Sequence, residues 1–116
     1  MSVWKLTVRH GPDVTREQFV DLEGAISEMR RHVERIRSEG PLSKVSVPRD
    51  YEPSDQVHAR LEISTGGLLR RSDAGIDLMG DGSLVPYVGG VRRRELELSD
   101  GQSAFEAVAE GLEGER

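Results

Sequence analysis

Apolar and polar residues alternate along three segments of the 116-residue chain at the period of a β-strand. Trp4, Leu6 and Val8 alternate with Lys5, Thr7 and Arg9; Val57, Ala59, Leu61 and Ile63 alternate with Gln56, His58, Arg60 and Glu62; Leu96 and Leu98 alternate with Arg93, Glu95 and Glu97. Successive side chains of a strand point to opposite faces, so these segments predict a sheet with one apolar and one charged face. Between the first two the period lengthens. Phe19, Leu22, Ile26, Met29, Val33 and Ile36 recur every three or four residues and predict one apolar stripe on a long helix.

Local signals set the expected boundaries. His10-Gly11-Pro12-Asp13 reads as a turn that ends the first strand. Thr15 and Gln18 have the spacing of a capping box, with Val14 placed to staple against Phe19, and Gly40-Pro41 reads as a stop; the helix is expected from about Arg16 to Glu39, roughly 36 Å long. Gly24 falls opposite the stripe, where it has no evident core role. The stretch from Pro41 to Asp55, broken by Pro48 and Pro53, reads as a loop in which Lys44-Val45-Ser46-Val47 could add a short edge strand. Gly75 to Met79 and Leu84 to Tyr87 flank Gly80-Asp81-Gly82-Ser83 as a hairpin, with Pro86 near an edge or bulge. A last strand is expected from about Val91 to Leu98, followed by a second capping box, Ser99 and Gln102, and a short helix with its stripe on Phe105, Val108 and Leu112.

The order is strand, long helix, three or four mostly antiparallel strands and a short C-terminal helix. It predicts one α+β domain over residues 1–116, a two-layer sandwich whose charged sheet face stays open. The helical crossover should join parallel strands, and the later short turns antiparallel ones.

Composition narrows the function. The chain lacks cysteine, which excludes disulfides, thiol chemistry and cysteine-ligated metals. A net charge of −5 argues against a general polyanion binder. No window approaches the roughly 18 apolar residues of a membrane span, and the N-terminus lacks the pattern of a secretory signal, so a soluble cytoplasmic protein without membrane attachment is expected.

Two glycine pairs are followed by arginines, in Gly66-Gly67-Leu68-Leu69-Arg70-Arg71 and Gly89-Gly90-Val91-Arg92-Arg93-Arg94. Converging backbone N–H groups and nearby guanidinium groups could hold a carboxylate or phosphate, whereas the ordinary reading is two turns with solvated arginines. His58, Arg60 and Glu62 are spaced to share one strand face, where they could address a ligand together or simply pair with neighbours such as Lys5 and Arg93. His10 is a second titratable candidate at a strand end, and His32 reads as an exposed neighbour of Glu28. Spacing assembles no nucleophile–base–acid set, no metal-ligand set and no cofactor motif. Asp77-x-x-x-Asp81-Gly82 fails as a calcium loop because Met79 and Val88 occupy ligand positions.

The leading reading is a non-enzymatic binding or interaction protein, a homodimer, working through its polar sheet face and Gly-Gly-Arg turns. The alternative is a small enzyme or small-anion-binding protein whose ligand site draws on His58, Arg60, Arg70, Arg71, Arg92 and Arg94. An RNA-contacting module is a third reading, weakened because the polar face offers charges instead of aromatic stacking platforms.

Overall fold

The computed structural model describes residues 3–39, 56–66, 71–89 and 93–114. Six strands and two helices follow in the order β1 (Trp4–His10), β2 (Asp13–Phe19), α1 (Leu22–Arg37), β3 (Val57–Gly66), β4 (Arg71–Met79), β5 (Leu84–Val88), β6 (Arg94–Glu95) and α2 (Ala104–Gly114). The strands form one sheet in the order β2-β1-β3-β4-β5-β6, and every neighbouring pair is antiparallel. The α+β arrangement expected from the periodicities is therefore present, with one strand more before the long helix.

That extra strand corrects the expected helix start. Residues 13–19 pair with all of β1, from Trp4 opposite Phe19 to His10 opposite Asp13, so Thr15 and Gln18 are strand residues and make no capping box. Gly11 takes φ +61°, which lets a two-residue loop turn the chain back at once. The helix begins at Leu22, where the Asp21 carboxylate accepts a 2.7 Å hydrogen bond from the Gly24 N–H. A side chain at Gly24 would crowd that same carboxylate, its Cβ lying 2.9 Å from Asp21 Oδ1, which gives this glycine a local role. At 16 residues α1 spans about 24 Å, shorter than expected. The two strands expected to run parallel across the helix, β1 and β3, are instead antiparallel neighbours, because β2 turns the chain back before α1 begins; β2 and β3 run parallel with β1 between them.

The apolar stripe otherwise folds as expected. Met29, Val33 and Ile36 are buried, Leu22 and Ile26 partly so, and Phe19 joins them from β2. They pack in one core with Trp4, Leu6 and Val8 of β1, Ala59, Leu61 and Ile63 of β3, and Ala74, Ile76 and Leu78 of β4, all of which alternate onto one face. Phe105, Val108 and Leu112 of α2 complete that core from beside β4 and β5. The second capping box forms four residues later than expected, between Ser103 and Glu106: the Glu106 N–H donates to Ser103 Oγ and the Ser103 N–H to the Glu106 carboxylate, both at 3.1 Å. Ser99 and Gln102 instead close the preceding turn. Of the expected last strand, the described part pairs at Arg94–Glu95 and ends before Leu98, which is exposed. Val57 is exposed as well, because the β3–β4 register slips between Val57 and Ala59. The expected Gly40-Pro41 stop and the possible strand Lys44–Val47 lie outside the described residues. No helix is long and apolar enough to cross a membrane among the described residues.

Two substitutions separate the observed helix start from the expected one. Asp21→Ala should destabilise the protein by about 1 kcal/mol through loss of its cap, while Thr15→Ala, at an exposed position, should stay within about 0.5 kcal/mol in urea denaturation. Met29→Ala, which empties a fully buried site, should cost about 2–5 kcal/mol by the same measurement.

Candidate functional site

The charged face of the sheet divides into two halves of different character. Over β3, β4 and β5 its side chains satisfy one another. Arg60 and Asp77 stand opposite each other across β3 and β4, and Arg60 donates from Nε to Asp77 Oδ1 at 2.8 Å and from Nη2 to Oδ2 at 3.3 Å. Arg93 approaches from the chain beyond β5 and donates to Asp77 Oδ2 at 2.6 Å. Asp77 is 5% exposed, so its charge depends on these two guanidinium groups. The Arg93 guanidinium also stacks 3.9 Å above the centre of the Tyr87 ring, which is fully buried although it lies on the polar face.

Gly75 makes that burial possible. It sits between Glu62 on β3 and Tyr87 on β5, and a Cβ there would lie 2.7 Å from the Tyr87 hydroxyl. The absent side chain leaves the tyrosine ring room to cross β4 and donate to Glu62 Oε2 at 3.3 Å. Burial, reinforced by the Glu62 and Asp77 charges, pushes the Tyr87 hydroxyl well above its ordinary range and keeps it a donor at neutral pH. Two cations, Arg60 and Arg93, face two carboxylates, Asp77 and Glu62. Among the described residues the group is charge-balanced and leaves its guanidinium groups committed to their carboxylate, which is poor chemistry for capturing an anion.

The outer half, over β1 and β2, is open. Alternation places Lys5 and Arg9 of β1 on the polar face, and Arg16 of β2 stands opposite Thr7 between them. All three are exposed, and among the described residues none pairs with a carboxylate. Nothing among the described residues pairs with the outer side of β2, whose residues are exposed except Glu17 and Phe19.

Only part of the expected ligand set can be placed. Arg60 belongs to the Asp77 group and pairs with it instead of with Glu62. Arg94 is exposed on β6, opposite Val88. Arg71 starts β4 opposite Gly66, while Arg70, Arg92, Gly67 and Gly90 lie outside the described residues. Gly66 and Gly89 both take positive φ and close the same end of the sheet, with β4 between their strands.

His58 departs from the face it was expected to share with Arg60 and Glu62. The slip between Val57 and Ala59 turns it toward the helix-bearing side, where its Nε2 stands 3.2 Å from Nε2 of His10 and the ring centres lie 4.8 Å apart. Glu39, just beyond α1, places Oε1 3.9 Å from His10 Nε2. Beside His58 opens a cavity of about 260 Å³ lined by Ile36, Arg37, Leu78, Met79 and Asp81 among others. Two of its lining residues are joined, Arg37 donating a 2.9 Å hydrogen bond to the Gly82 carbonyl. Burial, then the neighbouring His10, lower the His58 pKa below its ordinary value, against a smaller upward pull from Glu39.

His32 is more enclosed than expected. It bonds Glu17 of β2 at 2.8 Å through Nε2, lies 3.6 Å from Glu28, and receives the Arg35 guanidinium at 3.0 Å on Nδ1. Glu17, Glu28 and His32 have the proximity of metal ligands, but both ring nitrogens already have partners and Arg31 holds Glu28, so the group reads as a tie between β2 and α1. The sequence offered no signal for Asp77, Tyr87 or Gly75 as one unit, since their meeting depends on strand register.

The polar group and the histidine pair each generate an expected outcome. Gly75→Ala should destabilise by about 1–3 kcal/mol or more, since the new Cβ meets the Leu61 carbonyl of β3 as well as the packed Tyr87 ring, and near-ultraviolet circular dichroism should report any displacement of that ring. For His58 the unfolded state binds the proton more readily than the folded one. Its contribution to stability is present above the unfolded value near 6.5 and declines as pH falls through the lower folded value. By urea midpoints, wild type should therefore lose stability relative to His58→Gln as the pH falls from neutral toward 5.

No protein-family model, characterised protein or solved structure matches the chain, so its function rests on the chemistry of these surfaces.

Proposed function

We propose that this protein is a non-enzymatic interaction protein whose working surface is the outer half of the polar face together with the β2 edge. One observation carries the reading: Lys5, Arg9 and Arg16 form an exposed basic row without carboxylate partners among the described residues, directly beside an edge strand. The partner that fits is an extended segment with acidic side chains on alternate positions. Its backbone would extend the sheet at β2, and its carboxylates would face the three cations.

A second copy of the chain, the partner expected from the sequence, suits this edge less well. An antiparallel two-fold pairing that keeps the two sheets' faces aligned sets one residue opposite itself. Centred on Arg16 or Glu17 it opposes identical charges, and centred on Thr15 it sets Asp13 against Glu17. Such charges are a common protection of an edge against its own copies. For the small-anion reading, Arg60 is already engaged by the Asp77 carboxylate, while Arg70 and Arg92 lie outside the described residues.

A fluorescent peptide of alternating glutamate and valine should bind the protein, weaken as salt screens the charges, and lose at least about tenfold in affinity when Lys5, Arg9 and Arg16 are all replaced by alanine. Equal affinity for that triple variant, or for a peptide with lysine in place of glutamate, would contradict the proposal. Light scattering at micromolar concentration should give the monomer mass; a dimer that dissociates when β2 is altered would favour the second copy as occupant.

A further inference from the structure

The pair His10 and His58 has a use that the polar face does not explain. Two imidazole nitrogens bound to one tetrahedral ion, each at about 2.0–2.1 Å, stand about 3.3–3.4 Å apart. His10 Nε2 and His58 Nε2 stand 3.2 Å apart, close to that separation with no ion between them. Both atoms are the outer ring nitrogens, and they come from neighbouring strands whose positions the sheet holds rigidly. The bulge at Val57–Ala59 is what delivers the second one: in unbroken alternation His58 would lie on the polar face, away from His10.

A third ligand is near. Glu39 Oε1 is 3.9 Å from His10 Nε2, and its side chain is half exposed; the three side chains do not yet gather within 4.8 Å of one another, so Glu39 has to turn inward for the shell to close. Among the described residues its other oxygen meets Arg35, at 3.6 Å on the surface. Arg37, which lines the adjacent cavity, is bound to the Gly82 carbonyl. His58 borders that cavity, which leaves a path for water to a fourth position.

We propose that His10 and His58 bind one divalent first-row transition ion of the zinc class through their Nε2 atoms, with Glu39 as the carboxylate ligand and water completing the shell. Imidazole nitrogen suits zinc, copper and nickel, whereas magnesium and calcium require oxygen ligands. The ion would link β1, β3 and the end of α1, three elements joined by long chain separations, so binding should stabilise the fold.

The test uses the full chain without an affinity tag, freed of metal by a chelator. Zinc should raise its melting temperature by several degrees while magnesium and calcium should not, and cobalt should give the visible absorption of a tetrahedral complex. His10→Gln and His58→Gln should each weaken zinc by more than about tenfold, since loss of a direct ligand exceeds the usual effect of losing an outer-shell partner. Glu39→Gln should weaken it less, and His32→Gln should leave it unchanged. Far-ultraviolet circular dichroism of the metal-free variants checks their folding. Should a variant fail to fold, ring-nitrogen NMR of the wild type gives the same answer, with zinc shifting the His10 and His58 Nε2 signals and sparing those of His32. Absence of any zinc-induced stabilisation would overturn the proposal. So would stabilisation that survives both histidine substitutions, or one that disappears only in His32→Gln, which would place the ion among Glu17, Glu28 and His32.

Discussion

Burial of one face of the sheet is the constraint on which the rest of the molecule depends. Leu6, Val8, Leu61, Ile63, Ile76 and Leu78 line that face, and Met29, Val33 and Ile36 of α1 with Val108 and Leu112 of α2 exclude water from it. With a chain this short, hydrophobic burial is the main source of stability, and cysteine cross-links are absent. Both helices are committed to the apolar face. Most charged strand residues are thereby sorted to the opposite face and to the strand ends, with Glu17 held on the helix side by His32.

The opposite face meets that situation in two ways. Over β3 to β5 it builds a small interior of its own, in which Tyr87 lies across Gly75 under the Arg93 guanidinium while Asp77 binds Arg60 and Arg93. Each polar group there has a partner, and no buried side-chain nitrogen or oxygen lacks one among the described residues. Over β1 and β2 the face carries Lys5, Arg9 and Arg16 in the open, next to an edge strand whose own charges oppose self-pairing. The two halves of one face thus differ in kind, one closed by its own ion pairs and one displaying its cations to solvent beside the β2 edge.

Much of this architecture is legible in the sequence where periodicity is long and one-sided. Trp4 to Val8, Ala59 to Ile63 and Leu22 to Ile36 occupy the core positions their spacing predicts. Short-range signals mislead where two local structures compete. Thr15 and Gln18 match a capping box, yet the turn at Gly11-Pro12 is tight enough to make residues 13–19 a strand against β1, and seven paired residues outweigh one cap. The same rivalry moved the second cap from Ser99 to Ser103. Sites were harder to read than elements because they depend on register. A single slip beside Val57 moved His58 from one face to the other and set it against His10, and the Tyr87–Gly75–Glu62 alignment exists only once three strands are paired. Strand alternation can name the residues on a face but not their partners across it.

Amide hydrogen exchange resolved along β2 tests the account most directly, because it reports both that residues 13–19 form a strand and that its outer side is free. Backbone N–H groups of β2 that point to β1 should be protected, and those that point away should exchange rapidly, in alternation along the strand. Helix-like protection running continuously from Arg16 into α1, or uniform protection of every β2 amide, would contradict it.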